Sequence, residues 1–150
     1  MALANVDRCP YPRPISVKLT EKDELQNGML IAIGEAKIEG NQELYEGKKP
    51  DGKLPVGIIV EPFHPYRVDE VEKDMVFKQG DVVRVYPRSA GDCFTISKEY
   101  VGTAKNANDP LKVKATAYTF DKETEAANAI AKVTRVYSFN GQDSVRVEWL

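Results

Sequence analysis

The chain has 150 residues, 42% of them hydrophobic, and a formal net charge of −2. This length is typical of one globular domain, and the composition is close to the globular average, which excludes disordered, collagen-like and coiled-coil chains. The 21 basic and 23 acidic side chains alternate along the sequence without long blocks of one sign. Because a nucleic-acid site needs a concentrated basic surface, we expect no nucleic-acid partner.

The N-terminal segment, residues 1–14, is predicted to be an extended arm. It contains Pro10, Pro12 and Pro14, and each proline fixes its own φ and disfavours helical backbone in the residue before it. The segment lacks the basic flank and apolar core of a signal peptide, and no apolar run in the chain reaches the about 18 residues of a membrane helix. We therefore expect the arm to precede one β domain, residues 15–150, with no membrane partner.

Short β-branched and alternating apolar segments predict strands over most of the remaining chain. The predicted strands are 15–19, 29–36, 56–60, 82–86, 93–97, 113–120, 131–139 and 144–149. Turn-forming pairs separate them, and only residues 121–130 have a helix-forming composition, enough for one short turn. The predicted fold class is all-β, a small β-barrel or β-sandwich with an extended N-terminal arm and at most one short helix.

The last two predicted strands form a hairpin whose register the charges restrict. A two-residue loop at the Asn-Gly turn would place Val136 opposite Val145 and Arg135 opposite Arg146. That register sets two positive charges side by side and mixes the apolar and polar faces. We therefore predict a loop of about three residues, in which Gly141 takes a positive φ.

The Gly-Asp pair occurs twice immediately before a strand, at residues 80–81 and 91–92. Glycine supplies turn conformations, and aspartate hydrogen-bonds nearby backbone N–H groups, so both pairs predict turns rather than ligand sites. The segment 87–90 between the two strands is short. We therefore predict that strands 82–86 and 93–97 are hairpin neighbours.

The residues that most often carry chemistry are few and scattered. Cys9 and Cys93 form no CxxC unit, which predicts two reduced thiols rather than a disulfide framework. The single histidine, His64, has too few partners for a typical zinc site. Its proline and aromatic neighbours predict a partly exposed loop residue packed on Phe63 or Tyr66 rather than a catalytic base.

Three other patterns resemble known sites, but each lacks a required part. Residues 47–53 have the glycine and lysine spacing of a phosphate-binding loop, but Leu54 stands where Ser or Thr is needed and no helix follows. The acidic residues within 69–74 lack the spacing of a calcium loop. Acidic pairs such as Glu43 and Glu46 would supply the two carboxylates of a glycosidase, but no other feature of the sequence supports such a site. We expect no catalytic, cofactor or metal site and no enzymatic activity.

Three stretches carry a family resemblance. Residues 24–34 run from a leucine through an Asn-Gly turn into an apolar strand that ends in glycine. Residues 80–97 contain a strand with an arginine and a tyrosine, then Gly-Asp and a strand that ends in serine, and residues 131–149 form a closing hairpin. This arrangement resembles the auxiliary capsid proteins of tailed bacteriophages, which decorate or cement the assembled head. Residues 63–66 depart from that pattern.

The resemblance implies a non-enzymatic virion protein on the capsid exterior, made in the host cytoplasm. Its partners would be the major capsid protein and neighbouring copies of itself, in a homo-oligomer such as a trimer. Proline lowers the entropy lost when a segment becomes ordered, and an extended segment can bind a sheet edge or a groove. The candidate partner-binding residues are Arg8, Pro10, Tyr11, Pro12, Arg13 and Pro14. The alternative for this arm is an ordinary disordered terminus.

Two other functions compete with the capsid interpretation. One is a β-barrel module that binds a carbohydrate or another small ligand, with Tyr66, Tyr86, Tyr118 or Trp149 as stacking surfaces. The other is a hydrolase whose site is dispersed over several loops. An enclosed pocket with converging polar groups would favour either of these, whereas an extended arm and flat surfaces would favour the capsid protein.

Overall fold

The computed structural model describes residues 3–62 and 75–150. In these ranges the chain forms eleven strands and two short 3₁₀ turns, Lys98–Val101 and Ala126–Asn128, without an α-helix. The strands are β1 (Ala4–Arg8), β2 (Ile15–Leu19), β3 (Leu30–Glu39), β4 (Gln42–Lys48), β5 (Val56–Ile59), β6 (Val82–Pro87), β7 (Cys93–Ser97), β8 (Pro110–Val113), β9 (Phe120–Lys122), β10 (Ala131–Phe139) and β11 (Gln142–Trp149). The all-β prediction is confirmed. The predictions for His64, Tyr66 and the acidic residues of 69–74 lie outside the described residues.

The strands form two sheets. Five strands close into a barrel in the order β2-β4-β3-β5-β6, and six form a sheet in the order β1-β7-β11-β10-β8-β9. The pairing of β2 with β4 is parallel, while the other pairs are antiparallel. A closed barrel removes the exposed edges of its own strands, so the six-stranded sheet does not continue the barrel as further strands.

Two strands of the barrel contribute to two different hydrophobic cores. Leu30 of β3 and Ile58 of β5 pack in the core shared with the six-stranded sheet, which includes Trp149. Their chain neighbours Ile31 and Ile59 point into the barrel. Successive side chains of a strand lie on opposite faces, so both faces of β3 and β5 are buried here. This explains why these strands read as continuous apolar runs rather than as alternating ones.

The prediction that strands 82–86 and 93–97 pair as a hairpin is wrong. β6 pairs with β2 and β5 inside the barrel, and β7 pairs with β1 and β11 in the six-stranded sheet. Barrel closure occupies both edges of β6, so no edge is left for β7. The Gly-Asp pairs nevertheless act as predicted in part: Gly80 and Gly91 have φ values of 93° and 90°, and the Asp81 carboxylate accepts the N–H of Lys78 at 2.8 Å.

The predicted strand 113–120 is also wrong as a single element. β8 ends at Val113, β9 begins at Phe120, and the two strands pair with each other through a turn. Thr116 in that turn has a φ of 57°, which a continuous strand does not permit. The sequence analysis did not predict β1 or β4.

The loop of the closing hairpin is shorter than predicted. Asn140 and Gly141, with φ values of 48° and 77°, form a two-residue turn. The prediction of a three-residue loop is therefore wrong, whereas the positive φ at Gly141 is confirmed. Positive φ at both central residues is typical of a type I′ turn, whose twist matches that of the flanking strands.

The hairpin has the register that the charges disfavour, and a bulge shifts this register further along the two strands. Val136 lies opposite Val145 and Arg135 lies opposite Arg146. A bulge follows between Val133 and Arg135, and beyond it Val133 faces Val147 in the core. One extra residue in a strand reverses which face its side chains occupy, so the bulge, rather than the loop, restores the apolar face.

The barrel interior leaves no room for a methyl group at Gly47 of β4. A Cβ built there would lie 2.7 Å from Val17 Cγ1 and 3.3 Å from Ile31 Cγ1. We expect Gly47→Ala to lower the free energy of unfolding by about 1 to 3 kcal/mol because overpacking forces neighbouring side chains out of their preferred rotamers. Urea denaturation measures this change.

The double variant Gly47→Ala/Val17→Ala is the internal control for this clash. Because it removes the side chain that the new methyl group meets, we expect it to be less destabilised than the sum of the two single variants. Additive losses would contradict the assigned packing of Gly47 against Val17.

Candidate partner-binding site

The first half of the predicted arm is part of the six-stranded sheet. Residues 4–8 form β1, which pairs antiparallel with β7, and Leu3 beside it is 1% exposed. Arg8 at the end of the strand is held in place: its Nη2 donates to Glu148 Oε1 at 2.7 Å and to the Gly91 carbonyl at 2.9 Å. Arg8 is therefore committed to contacts within its own chain.

The second half of the predicted arm connects the two sheets. Residues 9–14 leave β1 in the six-stranded sheet and enter β2 in the barrel without joining a strand themselves. Pro10, Tyr11, Pro12, Arg13 and Pro14 are all exposed, and the Tyr11 side chain is 86% exposed. We call residues 10–14 the exposed linker. Anchored strands at both of its ends limit the conformations it can take.

The exposed linker borders a cleft of about 510 Å³ at the junction of the two sheets. One wall is formed by the linker and the start of β2, and the other by the end of β6 and the segment before β7. The lining residues are Cys9, Tyr11, Arg13, Ile15, Tyr86, Pro87, Arg88, Ser89 and Asp92. Two tyrosines and two arginines give this cleft aromatic and cationic surfaces that suit an aromatic, carboxylate or backbone carbonyl group.

Cys9 and Asp92 face each other at this cleft. The Cys9 Sγ lies 3.3 Å from Asp92 Oδ2 and donates its S–H to that carboxylate. Burial, with the hydrogen bond to Asp92 and its negative charge, raises the pKa of Cys9 to about 11. The thiol is therefore protonated at neutral pH, which makes it a weak nucleophile and a poor metal ligand.

The aromatic residues considered as stacking surfaces have different positions. Trp149 is 1% exposed and packs against Phe120, and Tyr118 is also buried, with its hydroxyl donating to Asp23 at 2.7 Å. Tyr86 is half-buried and forms an edge-on contact with Phe94, while its other side lines the cleft. Of these three tyrosine and tryptophan side chains, Tyr86 is the one available to a partner. Tyr66 lies outside the described residues.

The segment that resembled a phosphate-binding loop is a turn that follows β4. The Asp51 carboxylate accepts the backbone N–H groups of Lys53 and Leu54 at 2.8 and 3.1 Å, which keeps its pKa below the usual value. Within residues 3–62 and 75–150, no three His, Cys, Asp or Glu side chains converge as a metal site requires. The same ranges contain no helix that is long and apolar enough to cross a membrane.

Arg88, Ser89 and Asp92 were not predicted as site residues. They reach the cleft because β6 ends in the barrel and β7 begins in the sheet, so the link between them crosses the junction opposite the exposed linker. The sequence signal at this position was the Gly-Asp pair, which indicates a turn but not what lies across from it.

Comparison with known proteins gave no family model that matches the chain, and no significantly similar curated protein or solved structure.

The raised pKa of Cys9 predicts slow alkylation. In a Cys93→Ala background at pH 8, a pKa near 11 instead of about 8.5 lowers the thiolate fraction more than a hundredfold, which its higher nucleophilicity offsets by about tenfold. We expect iodoacetamide to react at least about tenfold more slowly with Cys9 than with a cysteine peptide.

Asp92→Asn tests the contribution of the Asp92 carboxylate to the raised pKa of Cys9 and to its slow alkylation. Removing the negative charge lowers the pKa of Cys9, so alkylation at pH 8 should become faster. Mass spectrometry of timed samples measures both rates. Equal rates with and without the Asp92 carboxylate would contradict the contribution of Asp92 and leave burial as the cause of the raised pKa.

Proposed function

We propose that this protein is a structural virion protein that decorates or stabilises a phage capsid by binding the major capsid lattice through the exposed linker. The observation that carries the proposal is the linker itself: five consecutive exposed residues, three of them proline, held between two anchored strands beside an open cleft. Such a segment loses little entropy when a partner binds it.

The side chains of the linker suit a protein partner. Tyr11 is almost fully exposed, and Arg13 lines the cleft beside it. Tyrosine and arginine are enriched among the residues that dominate the binding energy of protein interfaces. A tyrosine that is 86% exposed is available for insertion into a partner's pocket.

The body of the molecule also supports a lattice-binding role. The barrel and the six-stranded sheet share one hydrophobic core, so a contact made at the linker acts on a rigid unit. The stretches that resemble decoration proteins fall on β3, on the β6 to β7 junction and on the β10–β11 hairpin, and the middle one forms a wall of the cleft. Repeated copies on a lattice gain avidity from modest individual contacts.

A small-ligand-binding module is the second candidate, and the cleft favours it. Its volume of about 510 Å³ lies within the about 300 to 1,000 Å³ that is typical of ligand pockets. Tyr86 and Tyr11 supply aromatic surface there, and Arg13 and Arg88 supply donors. Tyr86→Ala separates the two functions, because Tyr86 lines the cleft on the wall opposite the exposed linker and is not part of the proposed capsid contact.

Tyr11→Ala and Arg13→Glu test the capsid proposal. We expect each variant to bind about tenfold more weakly to heads that lack the protein, with an unchanged melting temperature, because both side chains are exposed. Co-sedimentation with the heads measures binding. Val82→Ala is the matched control, since it removes an exposed apolar side chain from the barrel. A deletion of residues 1–14 is unsuitable because it also removes β1.

Wild-type occupancy of the heads by both linker variants would contradict the role of the exposed linker. No co-sedimentation of the wild-type protein with any head, combined with saturable binding of a sugar or another small molecule that Tyr86→Ala abolishes, would favour the ligand-binding module instead.

A further inference from the structure

The side of the six-stranded sheet that faces away from the core carries an excess of positive charge. Alternation along β7, β10 and β11 places Arg146, Glu148, Lys132 and Arg135 on this side, and Arg8 and Asp7 approach it from β1. This side therefore has four cationic side chains and two carboxylates. We call these six residues the basic face. A cleft of about 340 Å³ lies within it, lined in part by Arg8, Arg135 and Arg146.

The charges of the basic face are incompletely paired. Glu148 pairs with Arg8 at 2.7 Å and with Lys132 at 3.7 Å. Arg135 lies directly opposite Arg146 across the hairpin, and like charges in such pairs repel. Asp7 is 3.7 Å from Arg146 Nε, whereas the described part of the chain places no carboxylate within ion-pair distance of Arg135.

Two buried polar atoms on the same side of the sheet also lack hydrogen-bond partners. Among the described residues, three buried side-chain nitrogen or oxygen atoms have no partner, and two of them are Arg146 Nε and Gln142 Oε1. Native proteins leave few such atoms, because an unsatisfied buried group costs about 1 to 3 kcal/mol. Arg146 lies directly opposite Arg135, and Gln142 lies opposite Phe139 next to the turn of the same hairpin.

An aromatic pair lies next to the unpaired arginine. The Arg135 guanidinium is 4.3 Å from the centroid of the Tyr137 ring, and Phe139 contacts Tyr137 edge-on at 6.2 Å. Both rings are half-buried. A cation beside an aromatic pair fits an apolar side chain that is accompanied by a carboxylate.

The tip of the β3–β4 hairpin has these complementary properties. Ile38 is 79% exposed, the most exposed aliphatic side chain among the large hydrophobic residues that the structure describes. Glu43 lies directly opposite Ile38, so the two side chains share a face of the hairpin. Glu39 and Glu46 are paired with Lys18 and Lys37.

Glu35 and Glu43 remain without an ion pair in the described ranges and give the hairpin tip a negative charge. Residues 35–43 are all exposed along both strands, so the tip of the hairpin is accessible to another molecule.

We propose that the β3–β4 hairpin of one copy docks on the basic face of a second copy, with Ile38 against Tyr137 and Phe139 and Glu43 against Arg135. In this contact the Glu43 carboxylate offsets the repulsion between the positive charges of Arg135 and Arg146. The contact also covers the exposed side chain of Ile38. The two surfaces belong to different parts of the chain, so the contact is head-to-tail and produces a ring or an open chain of copies. It does not depend on the capsid.

A hairpin tip buries less area than the about 1,200 to 2,000 Å² of a standard interface, so we expect weak association, in the micromolar range or above. Sedimentation velocity of the purified full-length protein over about 1 μM to 1 mM tests it. The sedimentation coefficient of the wild type should rise with concentration. Arg135→Glu and Glu43→Arg should each weaken association by at least about tenfold, because each creates a like-charge contact.

Complementation identifies the pair of residues. The double variant Arg135→Glu/Glu43→Arg restores the opposite charges at every contact and should associate again. An equimolar mixture of the two single variants also permits opposite charges at every contact between unlike variants, because Glu43 of the Arg135→Glu variant can meet Arg135 of the other. The introduced Arg at position 43 can likewise meet the introduced Glu at position 135. The mixture should therefore associate into alternating assemblies, whereas each variant alone associates weakly. Both changes are at exposed positions, and circular dichroism checks that the variants are folded.

Lys105→Glu and Glu24→Arg are matched controls, since they reverse exposed charges outside both surfaces and should associate like the wild type. A wild type that stays monomeric over the whole series, single variants that associate as strongly as the wild type, or a double variant that does not regain association would each overturn the proposal. These measurements use no heads, so their outcome is independent of capsid binding.

Discussion

The burial of both faces of β3 and β5 is the constraint on which the rest of the molecule depends. Leu30 and Ile58 contact the six-stranded sheet, and Ile31 and Ile59 fill the barrel. Each of these side chains contributes about 1.5 to 3 kcal/mol of hydrophobic stabilisation when fully buried. Because the same two strands serve both cores, the barrel and the sheet cannot separate without exposing Leu30 and Ile58.

The junction created by this shared core determines where the candidate site lies. The chain crosses from the sheet to the barrel once through residues 9–14 and returns through the link between β6 and β7. The two crossings face each other and form the cleft that contains Tyr11, Tyr86 and Asp92. Tyrosine and arginine side chains give this junction aromatic and cationic surfaces, and the Cys9 thiol beside them is protonated.

Three features on the surface of the molecule are ones that a self-contained domain does not require. The exposed Tyr11, the exposed Ile38 and the like-charged pair of Arg135 and Arg146 each leave some interaction unsatisfied within one chain. The molecule therefore has a well-packed centre and three such features on its surface. This distribution suits a protein whose partners are other proteins arranged around it, and it agrees with the capsid proposal and with contacts between copies.

The sequence by itself determined the fold class, most strands and the turns at Gly80, Gly91 and Gly141, because alternation and turn chemistry depend on residues within a few positions of one another. The tertiary structure decided which sheet each strand joins. β7 could not pair with β6 because barrel closure occupied both edges of β6, and a bulge at residue 134 corrected a register that local charges disfavour. The cleft and the basic face likewise join residues separated by about half the chain or more. Such proximity follows from edge pairing and shared core volume, which are properties of the folded chain as a whole.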